Sequence, residues 1–212
     1  MTDLAHKEVE TSPDMLLECA MAWKYLHDLF HGPSPEQWRW LQSESAQAAW
    51  RLLAQWTGLE NYATLPLANS YDSYAGEYVA AFEVGLPEPP CPLIESHWNK
   101  RDPVPKVLHE NMLFYKQFGL ELRSSSNETA DHLRHQLEFV HHLFRMEREA
   151  VIGNRMEHAD QCARARIEYL NRHLGFWVPR AYLALDKKMP GSWCAQWMFL
   201  LSQFCQEFCT EH

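Results

Sequence analysis

Apolar residues recur at three- and four-residue intervals along most of the chain, and the residues between these runs are helix starts and stops. Ser12-Pro13-Asp14 reads as an N-cap, a proline at the first helical position and an acid in the first turn. Leu16, Ala20, Trp23, Leu26 and Phe30 then share one face before Gly32-Pro33 ends the run. Ser34-Pro35-Glu36 repeats the start for a second helix, which breaks near Ser43 and Ser45 and resumes with Ala49, Leu52, Leu53 and Trp56. Tyr74, Tyr78 and Phe82, four apart, predict a short helix over 71–84 with Gly85 as its stop. Val107, Leu108, Met112, Tyr115 and Phe118 predict another over 104–118, closed by Gly119. A Ser125-x-x-Glu128 capping box opens a long helix to about Ile152, with Ala130, Leu133, Leu137, Val140 and Phe144 on one face. Helices follow over 154–174 and 192–209, separated by a short helical turn at 179–185.

Residues 85–105, GLPEPPCPLIESHWNKRDPVP, break this pattern. Prolines 87, 89, 90, 92, 103 and 105 remove backbone donors and exclude a continuous helix. Loops of this length inside a compact domain are uncommon and usually functional. The alternative is an inter-domain linker, but its Cys, Leu, Ile and Trp favour a functional loop.

Composition agrees with the helical pattern. Leu and Ala total 46 residues against 11 Val and Ile, a helix-forming balance that points to an all-α fold. A chain of 212 residues can bury one core, so the expectation is a single-domain helical bundle, residues 1–212, with a long proline-rich loop. The start of the chain has no signal-like apolar stretch and no apolar run reaches membrane length, so the expected location is cytoplasmic. Six cysteines without a CxxC fit reduced, buried thiols. A net charge of −9 disfavours nucleic acid and anionic membrane as partners and suits a cationic one.

The residues that could carry chemistry cluster in ETADHLRHQLEFVHH. On a helical projection Glu128, Asp131, His135, Glu138 and His142 share a sector opposite the apolar stripe. They read either as a solvated face or, because Phe139 and Leu143 lie beyond them, as the lining of a groove. A di-iron bundle needs two Glu-x-x-His pairs plus two further carboxylates, and the sequence supplies one such pair, Glu138/His141, so the count fails. Cys91, set between prolines, has no evident triad partners, and a chain with 8 Gly has no phosphate loop. Tyr74, Tyr78, Phe82 and Trp98 flank the proline loop, and an aromatic, acid-edged groove suits an apolar peptide with a positive end.

The aromatics Tyr78 and Phe82, the loop PPCPLIESHW (89–98) and, most specifically, ETADHLRHQLEFVHHL (128–143) resemble the TorD/DmsD/NarJ family of cytoplasmic chaperones for molybdenum enzymes. FYKQFGL (114–120) and RHLGFWVP (172–179) look like the subgroup serving type II dimethyl sulfoxide reductase-like enzymes. The resemblance implies an all-helical chaperone and not an enzyme, with no cofactor of its own. Its partner would be the twin-arginine signal peptide or N-terminal region of a molybdenum-containing catalytic subunit, held back from export while cofactor is inserted. Residue by residue it carries the aspartate-histidine pair to Asp131 and His132, the loop to Pro90, Cys91 and Ser96, and the aromatic wall to Tyr78 and Phe82. Cys91 stands where relatives often carry an aromatic. Glu128, Asp131 and Glu138, with His135, are the expected complement to the arginines, and the apolar wall is expected to supply more affinity than they do. The rival reading is a small helical metal-dependent hydrolase using Asp131, His132 and His135.

Overall fold

The computed structural model describes residues 12–59, 62–122 and 128–209. Five helices start where a serine side chain accepts a hydrogen bond from a backbone N–H three residues on. Ser12 caps α1 (Pro13–Leu29), Ser34 caps α2 (Pro35–Leu41) and Ser43 caps α3 (Glu44–Trp56). Ser70 caps α4 (Tyr71–Tyr78). Then come α5 (Glu95–Trp98), α6 (Val104–Gln117), α7 (Leu133–Ile152), α8 (Met156–Arg172) and α9 (Leu174–Lys188), and Ser192 caps α10 (Trp193–Glu207). The fold is all-α; β structure among the described residues is limited to an isolated antiparallel bridge between Ile94 and His132.

The central helix is α7, buried on both flanks, with Leu133, Leu137, Val140 and Phe144 on one side and Phe139 and Leu143 on the other. It packs most extensively against α1 and then α8, while α10 packs on α9. The pairing with α1 is antiparallel: Arg148 Nε donates to Pro13 O, His141 Nδ1 bonds Ala20 O, and Arg134 reaches His31. Trp23, Trp50, Trp177 and Trp197 are fully buried in the apolar core, which accounts for the abundance of tryptophan.

Three sequence expectations change. The long helix begins at Leu133, not in the capping box; Ser125 lies outside the described residues. Tertiary pairing overrides local propensity there, because Leu133 N donates to Leu93 O (2.8 Å) and Glu95 N to Asp131 O (3.0 Å), holding residues 131–133 beside the loop with His132 extended. Glu128 and Asp131 therefore precede the helix and do not share a helical face with His135 and Glu138. The expected turn at 179–185 is instead the second half of α9, which contains Pro179. Leu174, Trp177, Val178, Ala181 and Leu185 bury one face, and that packing outweighs the single hydrogen bond the proline removes. Gly175 is a site of close approach, since a Cβ there would come within 2.3 Å of Cys209 Sγ. Finally, the helix over 71–84 changes at Tyr78 into a π turn, Val79–Glu83.

The proline-rich segment has two halves. Residues 86–88 are exposed, and Gly85 permits a tight turn in which a Cβ would meet Glu88 O at 2.2 Å. Cys91, Pro92, Leu93 and Glu95 are buried. Cys91 N donates to Ala81 O in the π turn, and Trp98 Nε1 donates to Pro92 O. Cys91 is thus not on an exposed loop, and burial pushes its thiol well above the usual range, which removes it as a nucleophile.

Candidate functional site

The second half of the loop is anchored by a buried polar network. Glu95, 1% exposed, receives Asn111 Nδ2 (3.1 Å), Gln136 Nε2 (2.5 Å) and His173 Nδ1 (2.9 Å). Tyr169 OH donates to Asn111 Oδ1, and Trp177 Nε1 to Gln136 Oε1. Asp131 extends the anchoring: its fully buried carboxylate accepts from Ser96 N (2.9 Å) and Thr129 Oγ1 (2.6 Å). These bonds place α5 and residues 131–132 against the start of α7.

Above this anchor lies a pocket of about 440 Å³, lined by the end of the α1 turn (Phe30, Gly32), Tyr78, Phe82 and Glu83 of the π-turn region, both halves of the loop, and Glu128, His132 and Arg134. Tyr78 OH donates to Phe30 O (2.9 Å), and its ring lies 4.9 Å from that of Phe82 in edge contact, so the aromatic wall is tied to the core. Tyr78 and Phe82 are only 3% and 5% exposed and so offer little surface to the pocket.

The pocket's polar side is negative. Glu83, Glu88 and Glu128 line it against the single guanidinium of Arg134. Glu88 stands 3.4 Å from His97, an imidazole that burial holds below its usual value despite that carboxylate. Arg134 Nη1 donates to Glu128 Oε1 at 3.0 Å, while Glu128 Oε2 is 3.6 Å from both His132 Nδ1 and His135 Nε2. Burial pulls His132 down to about 4, with Glu128 opposing, so at neutral pH this imidazole is uncharged. Burial raises Glu128, but His132, Arg134 and His135 around it, with the Arg134 hydrogen bond, prevail and hold its carboxyl below the usual range.

Of the residues singled out from sequence, Tyr78, Phe82, Glu128 and His132 line this pocket. His135 stands behind Glu128. Pro90 and Cys91 sit between the lining residues Pro89 and Pro92, with Cys91 turned into the core. Ser96 and Asp131 bond one another beneath it, and Glu138 is exposed farther along α7. Asp131, His132 and His135 do not assemble as one metal site: the Asp131 carboxylate is engaged by Ser96 and Thr129, and no three His, Cys, Asp or Glu gather around a metal position among the described residues. Glu83, Glu88, His31 and Arg134 were not anticipated. The acids flanking the exposed turn were a legible signal for Glu83 and Glu88; for Arg134 there was none, because its role depends on where α7 begins.

A second concavity, about 490 Å³, lies between α1 and α3. It is mainly apolar, with exposed Met21, Leu52 and Trp56 on its rims, and Lys24 and Asp28 paired at its edge. Among the described residues no helix is long and apolar enough to cross a membrane.

Comparison with known proteins places this architecture. The sequence profile of the nitrate reductase delta subunit family matches residues 43–182. The perchlorate reductase assembly chaperone protein of Dechloromonas aromatica (strain RCB) is 28% identical over 148 residues, covering 70% of this chain. The selenate reductase assembly chaperone protein of Thauera selenatis is 32% identical over 124 residues, 58% of this chain. In both cases the match spans 63% of the relative's own length. A crystal structure from Archaeoglobus fulgidus, of a protein assigned to redox enzyme maturation, superposes with a TM-score of 0.55 at 16% identity, covering 97% of this chain and 99% of that one, which shows a shared fold. The chain belongs to the nitrate reductase delta subunit family, the TorD/NarJ group of molybdoenzyme maturation chaperones that its motifs resemble.

Proposed function

We propose that this protein is a cytoplasmic assembly chaperone, not a catalyst, for the catalytic subunit of a type II molybdenum oxidoreductase. It binds the arginine-bearing signal peptide or N-terminal region of that subunit, and so assists cofactor insertion and delays export. The observation that carries the reading is the pocket at the start of α7: three carboxylates against one guanidinium, beside an aromatic edge, in a concavity of about 440 Å³. That volume and charge suit one or two cationic side chains and a short apolar stretch. The relatives named as assembly chaperones for perchlorate and selenate reductases support the client class. Because Tyr78 and Phe82 are almost fully buried, charge contributes more of the affinity than the sequence suggested.

The test is a titration of a synthetic peptide with two adjacent arginines followed by an apolar segment. Affinity should fall as salt rises, and replacing both Glu83 and Glu88 by glutamine should weaken it about tenfold, or about 1.4 kcal/mol. Binding indifferent to both salt and these substitutions would remove the pocket from the account.

A further inference from the structure

Arg134 is a cation in a pocket proposed to receive cations, and its surroundings define what it does there. Its side chain is 19% exposed and enters from the first turn of α7. Nη1 donates to Glu128 Oε1 at 3.0 Å, Nη2 donates to His31 Nε2 at 2.8 Å, and Nε is buried without a hydrogen-bond partner. Burial and the adjacent guanidinium keep His31 below the usual imidazole value, so its Nε2 is a neutral acceptor at physiological pH. A guanidinium is best satisfied by a carboxylate that takes two parallel N–H bonds. Arg134 has instead one bond to the carboxylate, one to a neutral ring and one N–H stranded. It holds Glu128 with less than its full hydrogen-bonding capacity.

We propose, on the reading that the pocket binds an arginine-bearing peptide, that Arg134 is an internal stand-in for the peptide's arginine. It occupies Glu128 in the free protein and gives it up when the incoming guanidinium binds. Exchanging one guanidinium for another leaves Glu128 paired in both states, so the free protein avoids an empty anionic site, while Arg134 stays in the pocket and opposes the incoming cation. Competition with Arg134 also sets selectivity. A planar fork can pair with Glu128 in two bonds and displace Arg134, whereas a lysine offers a point charge and competes less well. Arg134 is therefore a specificity-determining residue that lowers affinity overall and lowers it most for the wrong cation.

The experiment compares wild type with Glu128→Gln, Arg134→Gln and Arg134→Lys, titrated with the arginine-pair peptide and its lysine-pair counterpart, after thermal melts establish that each variant is folded. Glu128→Gln should weaken the arginine peptide about tenfold. Arg134→Gln should tighten it roughly threefold or more and tighten the lysine peptide further, so that the preference for arginine narrows, with Arg134→Lys in between. In wild type, the Arg134 Nε–H resonance should shift and exchange faster with water when peptide binds. If Arg134→Gln and Arg134→Lys weaken binding while Glu128→Gln also does, Arg134 helps to hold the peptide and the stand-in is refuted, but the peptide site stands. If peptide binds every variant as it binds wild type, the site and the stand-in fall together.

Discussion

Two carboxylates flank the start of α7 with opposite roles. Glu95 lies beneath, 1% exposed, with three side-chain donors converging on it from α6, α7 and the α8–α9 junction. His173 bonds that carboxylate through Nδ1, and its Nε2 is buried without a hydrogen-bond partner. Glu128 lies above, 31% exposed, held by one arginine bond and faced by two imidazoles at 3.6 Å. A buried acid with matched donors fixes geometry, and removing it strands every donor. A partly exposed acid at a pocket mouth, paired with an arginine that can be exchanged, can accept a ligand at small structural cost. Burial and hydrogen-bond saturation, not residue type, separate the scaffold from the site. By the same criterion Asp131, part of the stretch that carries the family resemblance, belongs with the scaffold.

The contrast predicts a graded set of outcomes. Glu95→Ala should have the largest effect, destabilising the fold by about 3–5 kcal/mol in denaturant unfolding, since Asn111, Gln136 and His173 lose a common acceptor. Asp131→Ala should cost about 2–3 kcal/mol and loosen residues 93–99 in hydrogen exchange, because Ser96 N and Thr129 Oγ1 lose their partner. Glu128→Gln should change stability by less than about 1 kcal/mol, as expected for a partly exposed pair, while still weakening peptide. If instead Glu95→Ala were mild and Glu128→Gln severe in unfolding, the division between scaffold and site would be wrong.

Acid should act through the site's imidazoles. In the folded chain His132 is held at about 4 against an ordinary 6.5, so between these values the unfolded chain binds a proton that the folded one refuses. Stability should therefore be fully present above about pH 6.5 and decline as pH falls toward 4. Replacing His132 by glutamine should flatten part of that slope. His31, His97, His135 and His141, also depressed by burial, would keep the rest.

The helices were legible because their signals are local. Serine caps at 12, 34, 43 and 192 and apolar spacing of three and four do not depend on distant residues. The start of α7 was not legible, because it is set by hydrogen bonds from residues 131–133 to a loop more than thirty residues earlier in the chain. The wheel that grouped Glu128 and Asp131 with Glu138 failed for that reason, and Arg134 went unnoticed with it. Glu95 was equally hidden: a charge among the prolines of a loop reads as solvated until Asn111, Gln136 and His173 are known to surround it. For Phe82, burial among Phe30 and Tyr78 makes substitution by alanine a core-cavity mutation and not a clean probe of binding.

The central claim is that the cationic end of a client peptide sits at the start of α7 and not in the apolar trough between α1 and α3. Photo-cross-linking tests it directly, using an arginine-pair peptide with a photoreactive group beside the arginines and mapping the adducts by mass spectrometry. Adducts within residues 82–97 and 128–134 are the predicted result. Adducts concentrated at Met21, Leu52 and Trp56 would contradict it and move the site to the other side of α1.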